Sequence, residues 1–177
     1  FAAYAMQKDN FFFRDADGLN VPIGETEHVG VEASLNGDLP GGFFWSGTVS
    51  WSDQTYAFTR RVVNASEVIL DGARIDTAPE WLADATLGWE NEAFTLALSA
   101  EHVGEYFTDA ANLRTYPGHT VAHLRGAWRF SPDLEAFVIV RNLLDERYAD
   151  RADFAQGQDR YFPAEPLNAT LGIRVRR

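Results

Sequence analysis

His119 and His123 stand four residues apart, a spacing that on a helix would turn two imidazoles toward one metal ion. In a strand they share only a parity, and the surrounding "HTVAHLRGAWRF" alternates like a strand. Asp15-Ala16-Asp17-Gly18 opens like a calcium loop, but Thr26 occupies the twelfth position, where a bidentate Glu is needed. A plain turn is expected there. Asn64-Ala65-Ser66 and Asn168-Ala169-Thr170 match glycosylation sequons, a short pattern that arises by chance. The chain holds neither G-x-S-x-G nor G-x-x-x-x-G-K-[ST], and no carboxylate pair stands out from the general acidity. No enzyme, metal site or cofactor is expected. With no cysteine, disulfides and thiolate sites are excluded.

The formal charge of −11 argues against a nucleic-acid partner, which would call for a basic face. No run of 18 apolar residues suggests a transmembrane helix. A membrane-crossing strand, however, needs only about ten alternating residues. Phe1 opens the chain without a signal peptide and reads as a processed end.

The elements that must position any site alternate with period two, the signature of strands with one apolar and one polar face. In 167–175, Leu167, Ala169, Leu171, Ile173 and Val175 oppose Asn168, Thr170, Gly172 and Arg174. Similar patterns fill 29–36, 43–51, 81–89, 94–100 and 122–130, while 134–141 is apolar on both parities apart from Glu135 and Arg141. With the opening stretch this predicts eight strands. Connections at 36–42, 90–92 and 131–133 are short; those near 14–24, 58–79, 106–118 and 149–160 are long. Strict alternation puts all short turns at one end, as in outer-membrane barrels. Phe43, Trp45, Trp89, Phe94, Trp128 and Phe130 collect beside the short turns as an interfacial girdle would, with Trp81, Tyr106, Tyr148 and Tyr161 toward the other end. The apolar parity is often Ala or Gly, and the polar one is Ser, Thr, Gly and Asn with charges of both signs. That composition fits lipid outside and a lumen inside better than the core and solvated face of a soluble β-sandwich binding module.

"RNLLDERY" supplies Asn142, Leu143, Leu144, Asp145 and Tyr148. It resembles the N-L-[FLT]-[DN]-x-x-Y penultimate-strand signature of TonB-dependent outer-membrane receptors. "GARIDTAPEWLADATLGW" (72–89), "HVGVEASL" (28–35) and "DRYFPAEPLNATLGIRV" (159–175) are similar to further segments of that family, the last to the closing strand of iron-siderophore members. The resemblance spans essentially the whole chain. It implies that residues 1–177 are an antiparallel up-and-down transmembrane β-barrel segment of about eight meander strands, the C-terminal third of a barrel of about 22 strands. The plug domain and TonB box are absent from this sequence, and it ends "RVRR" where the family usually ends in an aromatic.

By the same resemblance, the protein resides in the outer membrane of a Gram-negative bacterium and serves active uptake of a ferric siderophore or similar iron chelate. Its implied partners are outer-membrane lipid and lipopolysaccharide, the barrel-assembly machinery, and the TonB complex through the missing plug domain. Family members recognise ligands with extracellular loops, and arginine and aromatic side chains suit anionic, flat chelates. Two loops combine these: Tyr106, Phe107, Arg114 and Tyr116 in one, and Arg151, Phe154, Gln158, Arg160 and Tyr161 in the other. The plainer alternative is that the rings are girdle members and the arginines pair with Asp109, Asp150, Asp153 or Asp159 or with lipopolysaccharide phosphates. A stand-alone eight-stranded barrel with a structural or pore role is the alternative for the whole chain.

Overall fold

Alternation builds the strands and the ladder order shows what they form. The computed structural model describes residues 1–14, 20–61 and 68–176. The "DADG" stretch and the first sequon therefore lie outside the described residues. One eight-stranded antiparallel meander runs through β1 (Ala2–Arg14), β2 (Asn20–Leu39), β3 (Phe43–Tyr56), β4 (Trp81–Glu90), β5 (Phe94–Val103), β6 (His119–Ser131), β7 (Leu134–Arg141) and β8 (Asn168–Val175). Each strand pairs with its sequence neighbour. β1 and β8 are the two edges of the sheet, so these eight strands do not close on themselves. No helix among the described residues is long and apolar enough to cross a membrane.

Register lines up the two parities into two faces. Trp45, Leu87, Leu98, Leu124, Val140 and Ala169 lie side by side across six strands. Leu87 is 56% exposed, Leu98 47% and Leu171 79%, so no protein layer covers this apolar face. A soluble sandwich would have buried it under a second sheet. Trp81 and Trp89 sit at opposite ends of β4 on this face. Their separation is about 27 Å along the strand and about 20 Å along the normal of a barrel tilted by about 40°, close to the apolar band of a membrane barrel. Trp51 lies opposite Trp81 in the register, adding to the aromatic level at the long-loop end.

The other face is polar. Ser34, Thr48, Asp84 and Glu101 form one of its rungs. β7, apolar on both parities in sequence, resolves here: Phe137 and Ile139 turn to the polar side, with Phe137 lying over Gly172 of β8. The same device recurs where Tyr4 faces Gly30 and Phe44 faces Gly88. A Cβ at Gly88 would come within 2.0 Å of the Phe44 ring. These glycines let a ring lie flat against the neighbouring backbone.

The short-turn end matches expectation, with Pro40–Gly42, 91–93 and 132–133 linking strands. At Gly41 and Gly42, φ values of +86° and +85° explain the paired glycines. The long-loop end departs from expectation in two places. The ladder of β1 and β2 continues to Arg14 and Asn20, so most of the expected 14–24 loop is strand. The expected 149–160 loop is a hairpin, Ala149–Ala155 paired with Gln158–Pro163. Its two-residue turn, Gln156-Gly157, has φ of +54° and +76°, as a type I′ turn requires. Two shorter ladders, Arg60–Arg61 with Val68–Ile69 and Tyr106–Phe107 with Thr115–Tyr116, also stand at this end.

Candidate functional site

The buried side chains gather where the long loops meet, and the candidate residues are there too. Tyr106, Tyr116, Ala149 and Ala152 form one apolar cluster, with Val103 packed against it; Tyr56, Ile69 and Ala110 form a second. Polar bonds tie the loops together. The Tyr106 hydroxyl accepts the Ala152 N–H at 2.9 Å, and the Tyr116 hydroxyl accepts that of Ala149 at 3.0 Å. Phe154 N–H donates to Thr108 O at 2.8 Å, and Thr77 N–H to Phe107 O at 2.7 Å. Arg74 and Asn112 exchange two bonds of 2.8 Å, backbone to side-chain amide. The described residues of loops 57–61 and 68–80, 104–118 and 142–167 thus form one packed cap.

Within that cap the expected ligand residues divide. Tyr106 and Tyr116 are buried, their rings 5.2 Å apart and their hydroxyls occupied by the hairpin backbone. Burial pushes the Tyr106 phenol above its ordinary value. The expectation that Tyr106 belongs to an interfacial girdle is therefore corrected: it is interior to the cap. Phe107 is half-buried beside it. Arg114, Arg151, Gln158, Arg160 and Tyr161 are exposed, and Phe154 is half-buried.

The exposed arginines are held in place. Asp153, buried at 4%, receives Arg160 in a fork of 2.6 and 2.9 Å and Arg151 at 2.7 Å. One carboxylate thus fixes two guanidinium groups, an excess of one positive charge within that triad. Arg114 lies 4.0 Å from the centre of the Phe154 ring and 3.5 Å from Asp159. The Phe162 ring lies beneath both Arg151 and Arg160, at 5.8 and 5.9 Å. Sequence reasoning missed Phe162, because its place beneath the arginines depends on the 149–163 hairpin, where the sequence predicts a loop. Asp109, expected to pair with an arginine, caps the loop instead: its carboxylate accepts the N–H groups of Leu113 and Arg114.

The signature residues of 142–148 are structural. Asn142 is 1% exposed with φ of +50°. Its side-chain amide donates to Glu146 O at 2.9 Å and Glu165 O at 3.1 Å and accepts Glu146 N–H at 2.8 Å. Asp145 accepts the Leu167 N–H at 3.0 Å, just before β8. Leu143 N–H donates to Ala122 O of β6, and Leu144 is exposed. Tyr148 lies 4.3 Å from the His119 ring, and desolvation pushes its phenol upward. His123 accepts the Asn142 N–H at 3.2 Å and lies 3.7 Å from Glu101. The two histidines are therefore occupied separately. Among the described residues, no three His, Asp or Glu side chains converge as a metal centre.

The comparisons with known proteins bear on this geometry directly. The family model described as TonB dependent receptor-like, beta-barrel matches residues 1–143. The siderophore receptor PiuA from Acinetobacter baumannii superposes with a TM-score of 0.80 at 17% identity, over 98% of this chain and 25% of its own. The ferric yersiniabactin uptake receptor FyuA from Yersinia pestis gives 0.79 at 13% identity, over 98% and 26%. The copper transporter OprC gives 0.71 at 14% identity, over 98% and 28%. The chain spans about a quarter of the length of these structures. No curated protein matches it. An open meander with short turns at one end, a lipid-suited face, and a signature that ties the penultimate strand to the last agree with that match: the chain belongs to the TonB-dependent receptor-like β-barrel family.

Proposed function

We propose that these strands are part of an outer-membrane receptor for active uptake of a ferric siderophore or similar iron chelate, with the loop cap as the ligand-contacting surface. The single observation that carries this reading is the arginine cluster fixed by Asp153, flanked by the Phe154 and Phe162 rings. Preorganised guanidinium groups over aromatic faces suit an anionic chelate with flat donor groups. Arg114, Arg151, Phe154, Gln158, Arg160 and Tyr161 would touch ligand; Tyr106, Phe107 and Tyr116 would hold them in place. Two structural relatives, the siderophore receptor PiuA and the ferric yersiniabactin uptake receptor FyuA, support the substrate class. Energy would come from the TonB complex through a plug domain, with assembly by the barrel-assembly machinery and lipopolysaccharide around the cap's rim.

The test uses the native outer-membrane protein in detergent, titrated with a panel of ferric catecholate, hydroxamate and carboxylate chelates. Replacing Arg151 and Arg160 together by Ala should weaken the best binder by about 10- to 100-fold, as expected for losing two charge-assisted contacts. Unchanged affinity for every chelate bound by the parent would move the binding surface away from this hairpin.

A further inference from the structure

The apolar face is not uniform: near the short-turn end it has a notch. In the row Trp89, Leu96, Gly126, Val138, Leu171 the glycine interrupts a line of large side chains. Below it, Phe94 and Trp128 stack with ring centres 5.6 Å apart, and Trp128 lies 4.0 Å from Phe130. Ala136 is the small residue beside Trp128 in the register. These residues, Phe130 apart, line a recess of about 420 Å³ with almost no polar surface. It is an open depression, with Leu96, Val138 and Leu171 along one side and the rings of Phe94 and Trp128 along the side toward the turns.

From this recess we infer a phospholipid site: a single acyl chain of the periplasmic leaflet seats in the notch at Gly126. The occupant follows from continuity with the lipid-facing belt, because the recess opens onto the same face that no protein layer covers. Short turns mark the periplasmic end in barrels of this kind, which selects that leaflet. The chemistry fits as well: the lining is hydrocarbon and aromatic edge, with no charged side chain. A convex belt offers an acyl chain one line of contact, whereas a chain lying in this depression meets Leu96, Val138 and the Trp128 ring together, which slows its exchange. The inference rests on the membrane placement within the proposed function and is independent of ligand uptake.

The test takes the native protein, extracted from outer membranes in mild detergent, and counts retained phospholipid by native mass spectrometry. The parent should keep one phospholipid after washing that strips the rest. Ala136→Leu fills the recess from β7 and should keep none, while Ala85→Leu, elsewhere on the same face, should keep one. Equal retention in all three, or none in the parent, would overturn the site and leave only annular lipid. Should Ala136→Leu fail to assemble, exchange kinetics decide. Protein loaded with brominated-chain phosphatidylethanolamine is diluted into unbrominated vesicles, and Trp→Phe variants separate the two signals. Trp128 emission should recover at least 10-fold more slowly than Trp45 emission; equal recovery would refute a seated chain. Loss of chelate binding with lipid retention intact would count against the uptake reading alone.

Discussion

The strand wall and the loop cap treat their apolar side chains in opposite ways. Along the wall, leucines and valines of the apolar face stay exposed, and cohesion within the chain comes from the backbone ladders. In the cap, tyrosines and alanines are buried, carboxylates are sealed, and orphan N–H groups find side-chain acceptors. On the membrane placement proposed above, the wall leaves its hydrophobic term to lipid, so its stability is not a property of the chain alone. The cap is a small water-facing core that carries its own. Apolar exposure on the wall and apolar burial in the cap are the same physics with different surroundings.

The sharpest way to break this contrast is to put one charge on each face of a single strand. Leu98→Arg, at the middle of the apolar face, should destabilise the assembled barrel by about 2–4 kcal/mol. Ser99→Arg, next door on the polar face, should stay within about 0.5 kcal/mol. Urea unfolding in liposomes measures both, and equal costs would mean that the face assignment is wrong. The cap's keystone comes next. Asn142→Ala strips three bonds from a buried site and should cost about 2–3 kcal/mol, seen as faster proteolysis of 142–167 while the wall stays protected. Tyr116→Phe removes one hydroxyl and should cost about 1 kcal/mol. Hydrogen exchange should rise at the Ala149 amide and leave that of Ala152, held by Tyr106, unchanged.

The smallest effect concerns Asp76. Its carboxyl sits 2.5 Å from the Tyr56 hydroxyl, and burial holds its pKa above the ordinary carboxylate value. A raised pKa means that folding favours the protonated form. Its contribution is full below the ordinary carboxylate range and is lost as pH rises through the raised value. Asp76→Asn should therefore firm the cap at neutral pH and confer no advantage near pH 3. Cap protection measured by hydrogen exchange at both pH values reads the sign.

The wall was legible in sequence because a strand's faces are a local property: Trp81, Ala83, Ala85, Leu87 and Trp89 declare one side without reference to a partner. The cap was not. Tyr106 and Tyr116 look like girdle or ligand residues until Ala152 and Ala149, more than thirty positions away, are brought to their hydroxyls. The hairpin at 149–163 was hidden for a local reason, since Gln156-Gly157 makes a turn that Asn-Gly or Asp-Gly usually signals. Asp153 was foreseen as one arginine partner among four, but only the register of that hairpin sets it between Arg151 and Arg160. The signature at 142–148 was recognised as a pattern, and its physical task appeared only when Glu165 and Leu167 returned to it.

That return has a consequence for assembly. Three pairs of neighbouring strands here, β2–β3, β4–β5 and β6–β7, are joined by short turns that fix which residue faces which. β7 and β8 have no such turn: residues 142–167 leave the sheet between them. Asn142 and Asp145 grip the backbone at Glu165 and Leu167, so the alignment of β8 is set at its start, from the loop side. A slip of one residue there would exchange every Leu, Ile and Val of β8 with its Thr, Gly and Arg. The bond from Asn142 to Glu165 can form only when the chain has come all the way back, so it reports that β8 has arrived in register.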